Sequence, residues 1–153
     1  MKKVICIIFT LTTLQNCSAA GSPQQIVKAY MAAWNQHHAH QAASYFAPQG
    51  VYYDASVGKP VTGRSAAEQQ VIAPFMQGVP DLKWQMTGQP VENNSAIAFE
   101  WVFSGHNTGN WSGSPATGKE VRFTGVSFIR LKQGKIIWQG DYYDSATLSR
   151  ELK

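Results

Sequence analysis

Between Ser22 and His37 the apolar positions Ile26, Val27, Tyr30, Met31, Ala33 and Trp34 recur at helical spacing. Ser22 offers a cap and Pro23 a proline in the first turn, so the pattern predicts a long first helix. Residues 38–46 read as a second, short helix with Ala42, Ala43, Tyr45 and Phe46 apolar, ended by Pro48-Gln49-Gly50. Residues 51–54, Val-Tyr-Tyr-Asp, then form a short strand, and a loop built on Gly58-Lys59-Pro60 and Thr62-Gly63 follows. A third helix is predicted over 65–77, with Ser65 and Glu68 at capping-box spacing and Pro74 kinking or ending it.

Past Pro80 the period changes to two. Leu82, Trp84 and Met86 alternate with Lys83, Gln85 and Thr87, and further β runs cover 96–104, 121–131 and 135–143. The stretch 105–118, rich in Gly, Asn, Ser, Thr and Pro, is a wide connection between two of them. Helices first and a run of strands afterwards make an α+β domain in which a strongly curved sheet wraps the long helix.

The last strand carries a carboxylate. Alternation places Ile137, Gln139, Asp141 and Tyr143 on one face, and Ile136, Trp138, Tyr142 and Asp144 on the other. Neither face is cleanly polar. If both are covered, Asp141 sits among aromatic side chains, and loss of water raises its pKa toward the range useful for proton transfer. The simpler reading is a helix cap, and Asp144 suits that role better because it stands directly before the C-terminal Ser-Ala-Thr-Leu-Ser-Arg-Glu-Leu.

Length and composition fit one domain, since 153 residues with 44% hydrophobic content are ample for a single core. Met1-Lys2-Lys3, the apolar run 4–14 and Cys17-Ser18-Ala19-Ala20 read as a secretory signal peptide over 1–20. The domain then covers 21–153, in a secreted or periplasmic protein. A lipoprotein anchored through Cys17 is disfavoured by Gln15 and Asn16, which are poor substitutes for small residues. Both cysteines, Cys6 and Cys17, fall in the leader, so the mature domain would hold no disulfide and no thiolate chemistry. Without Lys2 and Lys3 the net charge is +2 with no basic run, which argues against nucleic acid. His37 and His40 share a helical spacing, but no nearby acid or thiol completes a metal site. No nucleophile elbow, phosphate loop or dinucleotide fingerprint is present.

Several short motifs in order carry a resemblance. Trp34-Asn35, Tyr45-Phe46-Ala47, Val51-Tyr52-Tyr53-Asp54, Gly63-Arg64, Pro80-Asp81-Leu82 and Gly134-Lys135-Ile136 are joined by residues 105–119. That last stretch, GHNTGNWSGSPATGK, fits the pattern GTHxGxFxGxPPTGK without a gap. Together they resemble the SnoaL-like polyketide cyclases, and the likeness covers essentially the whole mature chain. It implies the nuclear transport factor 2-like cone, a curved sheet of mixed or antiparallel strands around a long N-terminal helix. The closing Asp141-Tyr142-Tyr143-Asp144 is also similar to the end of limonene-epoxide hydrolases, which share that fold. In both families the position of Asp141 is the catalytic acid or base. Asp54 matches a polar position that orients substrate or water, Tyr52 the tyrosine beside it, and Met31 and Trp34 apolar pocket positions. The resemblance implies no metal and no organic cofactor.

The chain also departs from these patterns. Epoxide hydrolases place an Arg and an Asp where this chain has Trp101 and Phe103, so epoxide opening loses its machinery. The cyclase histidine is replaced by Asn107, and His106, one residue earlier, points to the other face of a strand. Trp101, Phe103 and Phe123 read as pocket walls for an apolar, cyclic ligand. The expected function is therefore proton transfer by Asp141 on a small hydrophobic carbonyl compound, with Asp54, Asn107 and Gln139 orienting it. The alternative is an extracytoplasmic protein that binds an apolar molecule without reacting. An outer sheet face of Val102, Val126, Phe128, Ile136 and Trp138 leads to the expectation of a homodimer.

Overall fold

Helix α1 (Pro23–Asn35) begins at a closed capping box, the first link between sequence and fold. The Gln25 N–H donates to Ser22 Oγ at 3.3 Å and the Ser22 N–H donates to Gln25 Oε1 at 2.9 Å, which satisfies two donors that a helix end leaves free. Its apolar stripe, including Val27, Tyr30 and Trp34, is buried in the main core. At the far end Asn35 behaves like a neighbouring strand. Its Nδ2 donates to Trp84 O at 2.9 Å and its Oδ1 accepts from the Trp84 N–H at 2.7 Å, so the helix is pinned to the sheet by a two-point amide clamp.

The structure, a computed structural model, describes residues 21–153. The predicted leader and both cysteines lie outside the described residues. Helix α2 (Ala39–Ala43) is followed by strand β1 (Phe46–Asp54), which starts well before the strand expected at Val51. The reason is a bulge. Pairing of β1 with the last strand shifts register between Phe46 and Val51, and Pro48, which has no N–H to give a ladder, lies in that interval. Strand β2 (Val61–Thr62) pairs with β1.

The third helical region starts two residues earlier than the capping-box reading requires. Gly63 precedes α3 (Arg64–Ala67), so Ser65 lies inside the helix and its hydroxyl accepts from Gln69 Nε2 at 3.2 Å instead of capping. Glu68 turns to His40, with Oε2 3.1 Å from Nδ1. A π-turn over Glu68–Ile72 leads into α4 (Ala73–Gly78). The wider turn relieves the clash that Pro74 would make with a regular preceding turn, so the helix passes the proline and brings Phe75 to the core.

Strands β3 (Lys83–Glu92), β4 (Ala96–His106), β5 (Glu120–Lys132) and β6 (Lys135–Tyr143) complete one six-stranded sheet in the order β2-β1-β6-β5-β4-β3. Every neighbouring pair is antiparallel except β1 and β6, which run parallel. The architecture is thus the expected α+β cone: a curved, unclosed sheet with α1 and the α3–α4 segment contributing to the core. Helix α5 (Ser145–Glu151) follows, capped by Asp144, whose Oδ1 accepts from the Ala146 N–H at 2.9 Å.

A second bulge corrects the predicted faces of β6. Arg130 pairs with Trp138 but Leu131 pairs with Ile136, so Ile137 is left over. Ile136 turns inward and is fully buried, while Ile137 is 39% exposed beside Trp138. The outer face accordingly carries Ile137 in place of Ile136, together with Val126, Phe128 and Tyr142, which are also exposed. Arg130 lies over the Phe128 and Trp138 rings at 5.8 and 5.4 Å.

Two outcomes are expected. Asn35→Ala strips both partners from the Trp84 backbone and costs about 1–3 kcal/mol in urea unfolding. If two copies meet through the outer face, Phe128→Glu shifts the mass seen by light scattering from dimer to monomer, and an unchanged mass removes this face as the contact.

Candidate functional site

The parallel pairing of β1 with β6 sets Asp54 directly beside Asp141. On the other side of β6, Ser127 of β5 is the cross-strand partner of Asp141. Three side chains converge on the Asp141 carboxylate. The Tyr52 hydroxyl donates to Oδ2 at 2.6 Å, the Ser127 hydroxyl to Oδ1 at 2.5 Å, and Gln139 Nε2 lies 3.1 and 3.0 Å from the two oxygens. Strand alternation explains the set: Gln139 is two residues from Asp141 on one face of β6, and Tyr52 and Asp54 share a face of β1.

Asp141 is only 5% exposed, and none of the residues lining its cavity is basic. Burial pushes its pKa from 3.8 up to about 7, the nearby Asp54 charge adds to the rise, and the Ser127, Tyr52 and Gln139 donors oppose it. Desolvation wins because three neutral donors do not replace the lost hydration of a full charge. Asp54 is also raised, chiefly by burial, against donors from Ser56 and Tyr143. The Ser56 N–H, the Ser56 hydroxyl and the Tyr143 hydroxyl all donate to Asp54 Oδ1, at 2.8, 2.5 and 2.8 Å. Burial and the carboxylates push the Tyr52 and Tyr143 hydroxyls up, so both remain protonated donors.

Around Asp141 is a cavity of about 20 Å³, space for roughly one water molecule. Of the residues singled out in the sequence, Tyr52, Trp34, Trp101, Phe103 and Phe123 line it. Trp101 and Phe103 both face inward, at the positions where an epoxide hydrolase would carry charge, and Val102 points away. Gln139 and Asp54 reach the site through their bonds to Asp141 and Tyr143. Met31 is buried in the core but does not line the cavity. Phe75, Trp84, Tyr143 and Ser127 also belong to the site. Tyr143 could have been found, since it shares the inward face of β6 with Asp141. Ser127 had a fainter signal, a single hydroxyl between Val126 and Phe128 in a strand.

Asn107 lies elsewhere. Its Nδ2 donates to Gly78 O at 2.8 Å and Gly109 O at 2.9 Å, and its Oδ1 accepts from the Thr117 N–H and hydroxyl at 2.9 and 3.0 Å. Both donors and both lone pairs are thus spent on holding the 107–119 connection. It borders an outer groove of about 870 Å³, together with Trp111, Ser56 and Leu148. Cavity residue Phe75 meets the groove's Trp111 with ring centroids 4.8 Å apart, and cavity residue Tyr143 is linked to the groove's Ser56 through Asp54. His106 points outward and bonds Asp81, with Nδ1 2.7 Å from Oδ2. Among the described residues no group of three or more His, Cys, Asp or Glu side chains is arranged to hold a metal.

A model of the SnoaL-like polyketide cyclases matches residues 24–152. No curated protein matches the chain by sequence. Among solved structures, a protein of ketosteroid isomerase-like fold from Catenulispora acidiphila, in complex with trimethylamine, has a TM-score of 0.70 at 21% identity, covering 86% of this chain and 94% of its own. A Pseudomonas putida protein assigned as a polyketide cyclase has a TM-score of 0.72 at 18% identity, covering 87% and 99%. A SnoaL-like protein from a Jannaschia species, similarly assigned, gives 0.69 at 17%, covering 86% and 95%. These identities establish a shared fold.

Two titrations test the electrostatics. Because the folded pKa of Asp141 lies above its unfolded value, the native state binds the extra proton, and stability should fall as pH rises from about 4 to about 7. Asp141→Asn should flatten that part of the urea-unfolding profile. On the surface, His106 is raised and Asp81 lowered by their mutual bond. Asp81→Asn should return the His106 titration, followed by NMR, toward the ordinary histidine value.

Proposed function

Because the chain belongs to the SnoaL-like polyketide cyclase family, we propose that it is an acid–base enzyme of isomerase or cyclase type, with Asp141 moving a proton on a small hydrophobic carbonyl compound. The observation that carries this reading is a carboxylate buried among aromatic rings, with no basic side chain lining its cavity and a pKa pushed up to about 7. Such a group is divided between its two forms near neutrality and so is able both to take a proton and to return it.

In the forward step the ionised Asp141 removes a hydrogen from the carbon next to the carbonyl. The C–H electron pair becomes the C=C bond of an enolate, and the negative charge passes to oxygen. The protonated Asp141 then returns the proton, either to another carbon, which completes an isomerisation, or to the alkoxide formed when the enolate carbon attacks a second carbonyl in the same molecule, which completes a cyclisation. Tyr52, Ser127 and Gln139 hold the carboxylate in place through both steps, and their donors keep its ionised form accessible. Asp54, fixed by Tyr143 and Ser56, keeps the Asp141 pKa high by charge repulsion. Trp101 and Phe103 supply apolar wall where an epoxide would need a cation and a second acid, which favours carbonyl chemistry over epoxide opening.

Small molecules that co-purify with the protein, identified by mass spectrometry, supply the compound to assay. With it, kcat/KM is expected to rise with pH through about 7 as Asp141 ionises. Asp141→Asn should lower kcat by about 10²–10⁴-fold while the protein stays folded. Full turnover by a folded Asp141→Asn protein would overturn the assignment. So would an ordinary carboxylate pKa for Asp141 together with tight binding of an unreacted ligand.

A further inference from the structure

An enolate oxygen in this cavity needs a donor, and the obvious ones are engaged. The Gln139 amide N–H groups and the Tyr52 hydroxyl point to Asp141, the Tyr143 hydroxyl to Asp54, and the Asn107 amide to backbone outside the cavity. Three lining indoles, Trp34, Trp84 and Trp101, donate to nothing among the described residues, and two of these N–H groups are fully enclosed. The enclosed two belong to Trp34 and Trp101, which are only 4% and 3% exposed. Both line the cavity that holds Asp141. A buried N–H without an acceptor forfeits the bond it made to water, so each instance calls for a reason.

The two are not equivalent. The Trp34 N–H is close enough to the Tyr30 hydroxyl to influence it, short of a hydrogen bond. Trp101 has no such neighbour and is fixed by its surroundings. Its partner across the sheet is Gly125, which also pairs with Tyr143. A Cβ on Gly125 would lie 2.4 Å from Cζ2 and 2.6 Å from Cη2 of Trp101, so the indole rests directly on bare backbone. The Phe123 and Tyr143 rings, themselves 4.8 Å apart, both pack against it with centroids 5.8 Å away. An N–H that is oriented before binding loses little entropy when it meets its acceptor.

We infer that the Trp101 Nε1–H is the hydrogen-bond donor for the oxygen of the bound compound, which makes the cavity selective for compact apolar rings that carry a carbonyl or enolate oxygen. The contribution of this bond to turnover rests on the acid–base reading above. The bond itself requires only that the ligand enter.

Cyclohexanone and methylenecyclohexane, which differ by C=O against C=CH2, serve as probes. In the ¹⁵N-labelled chain, cyclohexanone is expected to move the Trp101 indole proton downfield and methylenecyclohexane to leave it in place. Trp101→Phe, which keeps an aromatic wall without the N–H, should weaken cyclohexanone about five- to tenfold and leave methylenecyclohexane unchanged. If that variant does not fold, the wild-type shift decides, with the resonance assigned through its contacts to Tyr143 and Phe123. The inference is overturned if cyclohexanone binds without moving the Trp101 proton, if both probes move it alike, or if cyclohexanone does not bind. The same titration on Asp141→Asn separates the two readings: a retained Trp101 shift alongside undiminished turnover sinks the acid–base role alone.

Discussion

The structure turns on one unfavourable placement, a carboxylate on a buried central strand with no basic side chain among the described residues lining its cavity. Asp141 is accommodated because each neighbouring strand brings it a hydroxyl, Tyr52 from β1 and Ser127 from β5, and its own strand brings the Gln139 amide. These bonds are enough to order the group and too few to replace its hydration, which is why its proton affinity rises. The packing around it follows from that compromise. The walls are aromatic, the tyrosines stay neutral, and Asp54 is fixed through Oδ1 by three donors of its own.

The same arrangement determines what the site is able to do. A proton-transfer group near neutrality suits chemistry in which one residue acts as base and then as acid. The aromatic walls leave few places for an oxygen to bond, the uncommitted donors being indole N–H groups such as that of Trp101. The resting cavity has room for about one water, so a larger compound has to displace a lining ring such as Phe75. Phe75 also meets Trp111, which lines the outer groove.

Much of this was legible in the chain itself. The helical stripe from Ile26 to Trp34, the four long strands, the Asp144 cap and the inward direction of Asp141 follow from periodicity, which reports which face of an element is buried. The failures share a cause, because period-two reasoning assumes an unbroken ladder. One leftover residue at Ile137 exchanged the faces of Ile136 and Ile137, and the irregularity around Pro48 hid the first half of β1. Asn107 was hard to place for a different reason. An amide between a strand and a glycine-rich loop looks the same in sequence whether it meets a ligand or the backbone, and here its bonds go to Gly78, Gly109 and Thr117.

The position of β6 has a further consequence. It lies between β1 and β5, which touch the rest of the sheet on their other sides but meet each other only through it. It is also the last strand in the sequence. Until it docks, the chain presents two unpaired strand edges, the state most exposed to wrong association. Its insertion joins the two halves of the sheet and, in the same event, delivers the acid between Tyr52 and Ser127. Sheet continuity and site assembly therefore depend on the same strand: a chain that lacks it keeps the Tyr52 and Ser127 hydroxyls but has neither a continuous sheet nor the carboxylate they hold.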